Sequence, residues 1–89
     1  MIRKDIKIIN KLGLHARASS LFVQTASRFQ SDVNVTFKGN TINGKSILGL
    51  MMLAVNQGSS ITLEIEGIDE KEALFTLTDL IQDCFGEGE

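Results

Sequence analysis

The sequence predicts an α+β fold, an antiparallel β-sheet with helices over one of its faces, and three observations carry that reading. Apolar residues alternate with polar ones at Ile6 and Ile8, at Val33, Val35 and Phe37, and at Ile61, Leu63 and Ile65, the period of strands with one buried face. Ala18, Leu21, Phe22, Ala26 and Phe29, and again Leu74, Leu77, Ile81 and Cys84, follow helical spacing instead. A chain of 89 residues buries roughly 60 to 70 per cent of its unfolded surface, enough for one core and hence one domain over residues 1–89.

In chain order the elements run strand, helix, strand, strand, helix, strand, helix, a meandering arrangement. The first strand holds Ile6 and Ile8. The first helix, from Ala16 to Phe29, leaves Ser19, Gln24 and Arg28 for solvent. The strand from Val33 to Phe37 turns tightly at Lys38 and Gly39 into a short partner around Asn40 to Asn43. Ser46 caps a short helix reaching Ala54 that is apolar on nearly every side, so one of its faces stays near solvent. After the strand of Ile61, Leu63 and Ile65, Asp69 and Glu72 read as a capping box for the last helix, which Gly86 and Gly88 end. One sheet face is polar, so the helices cover the other.

Composition narrows the function. Hydrophobic residues are 43% and charged residues 22% of the chain, a globular balance. No apolar run approaches the roughly 20 residues that span a bilayer. Arg3, Lys4, Asp5 and Lys7 interrupt the first ten residues, so these do not form a secretory signal, and a cytoplasmic location is the expectation. A net charge of −2 without clustered Lys and Arg argues against a nucleic-acid partner. Cys84 is the only cysteine, which excludes an internal disulfide and a cysteine zinc site, and it is expected to pack in the last helix.

The sole histidine, His15, stands between a glycine-containing loop and the start of the first helix, in Lys11-Leu-Gly-Leu-His-Ala-Arg17. The first N–H groups of a helix lack internal partners and carry the positive end of its dipole, so an anion there is bound without further machinery. Imidazole suits a phosphoryl group at neutral pH, because one ring nitrogen can attack while a hydrogen bond orients the other. Arg17 can offer a charge-assisted fork to phosphate oxygens. No second His, Cys or carboxylate cluster lies near in sequence to make a metal site or a hydrolytic triad, and no cofactor is expected. A histidine at a helix start can equally be a cap or a partly exposed polar residue; position and neighbours leave both readings open.

The stretch Gly13-Leu-His-Ala-Arg17 resembles the active-site motif of the histidine-containing phosphocarrier (HPr) family of the phosphoenolpyruvate-dependent sugar phosphotransferase system. The resemblance extends over essentially the whole chain, through Gln24-Thr-Ala-Ser27, Asp32-Val-Asn34 and, most distinctively, Lys45-Ser-Ile-Leu-Gly-Leu-Met51. It implies an open-faced β-sandwich, a four-stranded antiparallel sheet under three helices in the order βαββαβα. It further implies that His15 accepts a phosphoryl group from enzyme I and passes it to a IIA domain, and that Arg17 is the active-site arginine. Ala18 departs from the family, which usually has proline there. Alanine is an excellent helix former, so the exchange bears on the geometry of transfer and not on the assignment.

Ser46 attracts two further readings. Gly39-Asn-Thr-Ile-Asn-Gly-Lys-Ser46 fits the phosphate-binding P-loop pattern, yet an antiparallel domain of this size lacks the parallel sheet and the acidic Mg²⁺ strand that nucleotide hydrolysis needs. The family resemblance instead implies a regulatory site, phosphorylated in some bacteria by an HPr kinase, whose effect falls on docking rather than on the fold. Leu50 and Leu53 belong to the core, whereas Ile47, Leu48 and Met51 are expected to form an exposed apolar patch suited to partners of different shape. The resemblance implies that enzyme I, IIA domains and an HPr kinase meet this surface, with Ser20 contributing.

The leading expectation is a monomeric, stoichiometric phosphoryl carrier rather than an enzyme. The alternative is a regulatory binding module controlled by Ser46 phosphorylation. Within the carrier reading, Asn10-Lys-Leu-Gly-Leu-His15 leans toward the nitrogen-related branch, and Lys45-Ser46-Ile47 toward the sugar branch.

Overall fold

The computed structural model describes residues 1–87. Its elements are β1 (Ile2–Lys7), α1 (Ala16–Ala26), β2 (Asp32–Phe37), β3 (Asn40–Asn43), α2 (Ile47–Leu53), β4 (Ser60–Glu66) and α3 (Glu70–Gln82), followed by a 3₁₀ turn at Cys84–Gly86. The four strands form one antiparallel sheet in the order β1-β4-β2-β3. The predicted fold class, element order and uncovered sheet face are all present. The sheet is not a meander, because only β2 and β3 are neighbours in both sequence and space.

The two-residue alternation sets the register. Ile6 lies opposite Ile61, Val33 opposite Ile65, and Val35 opposite Leu63, so every strand turns its branched residues to the same side. The opposite side carries polar cross-strand pairs: the Thr62 hydroxyl donates to Asp5 Oδ1 at 2.7 Å, and Thr36 and Thr41 share a hydrogen bond of 2.7 Å. Between β2 and β3 only two residues turn the chain, Lys38 at φ 50° and Gly39 at φ 81°. Positive φ at both central residues is what a type I′ hairpin turn requires.

Over the apolar side, Ala18, Phe22 and Ala26 of α1, Leu50 and Leu53 of α2, and Ala73, Leu77 and Ile81 of α3 close the core. α1 packs against both other helices. Phe22 is fully buried, as are the small Ala18 and Ala26 on the same face of α1.

Four local expectations are corrected. The first helix ends at Ala26 rather than Phe29, and Ser19, expected to face solvent, is fully buried with its hydroxyl donating to Leu14 O at 3.0 Å. That local bond satisfies the polar group and lets the helix turn Ser19 inward. Asp69 precedes α3 but makes no side-chain cap, so the expected capping box does not form. Its carboxylate accepts instead from the N–H groups of Gln30 and Ser31, at 2.8 and 2.9 Å, and from the Ser31 hydroxyl. The Ser31 hydroxyl, and after it the Gln30 N–H, holds the Asp69 carboxyl below its ordinary pKa. Finally, α3 stops at Gln82, before Gly86, and Gly88 lies outside the described residues. Cys84 therefore falls in the 3₁₀ turn, half-buried, and the buried stripe is completed by Phe85.

Candidate functional site at the start of α1

The site begins with a clamped loop. Leu14 N–H donates to Val55 O at 2.9 Å, and Gly13 N–H to Asn10 O at 3.2 Å. Gly13 has φ +66°, and a Cβ there would stand 2.2 Å from Val55 O. Only glycine permits this approach. Leu14 is buried, so the residue after it, His15, is delivered to the surface at a fixed point.

His15 is the N-cap of α1, in extended backbone with φ −73° and ψ 180°, and its carbonyl accepts the first helical bond from Ser19 N–H at 2.8 Å. Its side chain makes no capping bond. The N–H groups of Ala16, Arg17 and Ala18 consequently have no intrahelical partner and point out of the helix beside the imidazole. Ala18 sustains the helix in place of the family's usual proline, and unlike proline it contributes an N–H of its own to that group.

Opposite the ring stands a carboxylate. Glu87 Oε2 lies 2.5 Å from His15 Nε2 and 3.6 Å from Arg17 Nη1, while Oε1 accepts from Asn10 Nδ2 at 3.1 Å. Phe85, buried in the core, anchors the turn from which Glu87 projects, and Glu87 N–H donates to Cys84 O at 2.9 Å. Burial works against ionising Glu87; the hydrogen bonds from His15 and Asn10, and then the charges of His15 and Arg17, outweigh it, so its carboxyl sits below its ordinary pKa. Arg17 is 60% exposed at its side chain against 26% for His15, which leaves the guanidinium able to follow an incoming anion. Lys11, Leu12, His15, Arg17 and Glu87 together line one concavity.

The structure thus brings His15 and Arg17 together around one carboxylate. Ser46 is not part of that concavity. It caps α2 as expected, its Oγ accepting from Gly49 N–H at 3.0 Å, and the P-loop lysine, Lys45, donates to Phe29 O at 2.9 Å as a structural tie. Ile47, Leu48 and Met51 are exposed, as are Met52 and Leu12, while Leu50 and Leu53 are buried. Ser20 is half-buried and accepts from Gln24 Nε2 at 3.1 Å. Sequence reasoning missed Asn10 and Glu87. The only signal for Asn10 was a polar residue three positions before Gly13, in a loop that also carries Lys11. Glu87 had none, since its partner His15 stands 72 residues earlier.

Residues 2–83 match the family model described as PTS HPr component phosphorylation site. Phosphocarrier protein HPr of Neisseria meningitidis serogroup A is 61% identical over 89 residues, covering all of both chains. The structure of HPr-C-His from Thermoanaerobacter tengcongensis superimposes with a TM-score of 0.94 at 50% identity over 98% of each chain. An HPr dimer from the same organism gives a TM-score of 0.79 at 50% identity, over 98% of this chain and all of that one. With the histidine at the start of α1, the open sheet and the matched span in agreement, the chain belongs to the HPr family of phosphocarrier proteins of the phosphotransferase system.

Proposed function

We propose that this chain carries phosphoryl groups on His15, taking them from phosphorylated enzyme I and giving them to a IIA domain, as a stoichiometric intermediate without turnover of its own. The observation that carries this reading is the uncapped start of α1: an imidazole, three outward N–H groups and an exposed guanidinium converge where the transferred group would sit. Arg17 offsets the charge that accumulates in transfer, and the N–H groups hold the phosphoryl oxygens afterwards.

The exposed Ile47, Leu48 and Met51, with Ser20, form the docking surface in this reading. A partner that covers α2 also covers Ser46, so a phosphate added there by an HPr kinase would alter docking while remaining compatible with the helix start it caps. The whole chain acts as one carrier domain in the cytoplasm. It works as a monomer, because each partner in turn must reach the same face.

Incubating the chain with enzyme I and phosphoenolpyruvate tests this. An acid-labile adduct, absent from His15→Ala, is the expected result; label that persists in that variant overturns the reading.

A further inference from the structure

We propose that the free edge of β1, together with the groove between β1 and α3, is a docking surface for an extended acidic segment of a partner protein, which joins the sheet as a further strand. Lys4, Lys71, Leu74, Phe75 and Asp79 line that groove, and it shares no residue with the concavity around His15. The proposal therefore stands apart from what His15 carries.

β1 ends the strand order β1-β4-β2-β3, so the backbone N–H and C=O groups along its outer side have no strand partner. The amino group of Met1 pairs with Glu70 at 3.3 Å, which ties the beginning of the strand to α3 and keeps the edge in place. Beside this open edge lies apolar surface: Phe75 is 75% exposed, and Leu74 next to it is half-buried. The edge is also basic. β1 carries exposed Arg3, Lys4 and Lys7 against Asp5 alone, and exposed Lys71 stands across the groove, in a chain whose net charge is −2. Asp5 is already engaged by the Thr62 hydroxyl, and Asp79 is the one acidic group among the residues that line the groove. Positive charge gathered on an edge strand of an acidic protein complements an acidic partner.

The register says what that partner must look like. Lys4 lies opposite Leu63 and Ile6 opposite Ile61, so both face the helices, while Arg3, Asp5 and Lys7 face the open side of the sheet. A strand added along β1 places two residues, four positions apart, opposite Arg3 and Lys7, where Asp or Glu fits best. The residues opposite Lys4 and Ile6 turn to the helix side, where apolar side chains meet Leu74 and Phe75. Backbone hydrogen bonds supply the adhesion, and the charges supply the choice. A second copy of this chain fits poorly: paired antiparallel over all of residues 3–7, it sets Arg3 against Lys7 and Asp5 against Asp5, like charge on like. The basic edge thus repels its own kind and accepts an acidic strand. A segment bound there holds the molecule while the α1 and α2 face stays open to other partners.

Backbone NMR of the nitrogen-15-labelled full-length chain, titrated with the end-blocked peptide Ser-Glu-Val-Thr-Val-Glu-Ser, tests this. The peptide reads the same in both directions and so suits either strand orientation. Shifts should appear along β1 and from Lys71 to Gln82, with slowed amide exchange on the outer side of β1 and unchanged His15 signals. Binding should weaken as salt is added. Lys4→Glu combined with Lys71→Glu, and separately Phe75→Ala, should each weaken it about 10-fold; all three side chains are exposed, and thermal melts check that the variants are folded. A peptide with Lys in place of both Glu residues should not bind. Equal binding of that lysine peptide overturns the proposal, as do shifts confined to α1 and α2, or no shifts at about 5 mM peptide. Concentration-dependent shifts along β1 in the chain alone would identify a second copy as the occupant and overturn it too.

Discussion

Two helices of this molecule begin in opposite ways. At α2, Ser46 turns its hydroxyl back onto Gly49 N–H and closes the helix start. At α1, His15 occupies the same position, N-cap in extended backbone, but directs its side chain away to Glu87. Both starts present the same unpaired donors and the same dipole. One spends them on a side chain and becomes structural; the other withholds them, and in the proposed function they receive an anion. The residue at the cap makes the difference, and a helix start is a binding site only where the chain declines to cap it.

Substitution of His15 itself should have the largest effect. His15→Ser and His15→Ala should both lose all acid-labile label, yet the serine variant, supplying the cap that α1 lacks, should be more stable than the alanine variant by about 1 kcal/mol in denaturant titration. Equal stabilities would mean that the α1 start is already satisfied. Next in size, Arg17→Ala should slow transfer about 100-fold without moving the melting temperature, as expected when a group acts on developing charge; a parallel loss of stability would make Arg17 a structural residue. Gly13→Ala places a Cβ against Val55 O in a left-handed conformation and should cost about 1–3 kcal/mol, read by thermal melting, with slowed transfer because the loop no longer delivers His15.

At α2 the expectation inverts. Ser46→Ala should lower stability by about 1 kcal/mol, a fall of roughly 4–8 °C in Tm for a domain of this size, while His15 accepts phosphoryl groups at the wild-type rate. A slowed rate would show that the two helix starts are coupled. The smallest effect is set by acid. Because the Glu87 carboxyl is held below its ordinary pKa, its contribution to stability is fully present above the ordinary carboxylate range and is lost as pH falls through the lowered value. The stability difference between wild type and Glu87→Gln should therefore vanish at low pH, and a difference that persists there would mean the carboxylate charge is immaterial.

The parts of this architecture that sequence reveals are those decided by near neighbours. Alternation identified three strands because burial on one face repeats every second residue, and Lys38-Gly39 marked the hairpin because few residues accept positive φ. Ser46 was readable as a cap because its partner is three residues away. Asp69 had the same local signature and went elsewhere: its carboxylate serves Gln30 and Ser31, which only the packed fold brings to it. The end of α3 was obscured for another reason, since Cys84 and Phe85 both adopt φ 54° without a glycine to announce it. His15 and Arg17 were legible as a pair through their motif, but the Asn10 and Glu87 side chains that hold them were not, because polar partnerships across the whole chain leave no periodicity.

The strand order has a consequence for how the molecule is made. β1 is first in the chain and sits at the sheet edge, where its only strand neighbour is β4, with Ile2 opposite Ile65 and Lys7 opposite Ser60. At roughly 5–20 residues per second, a ribosome needs about 3–12 s to add the chain between these partners. During that interval β1 lacks its partner, and the sheet can close only once β4, which ends at Glu66, has been synthesised.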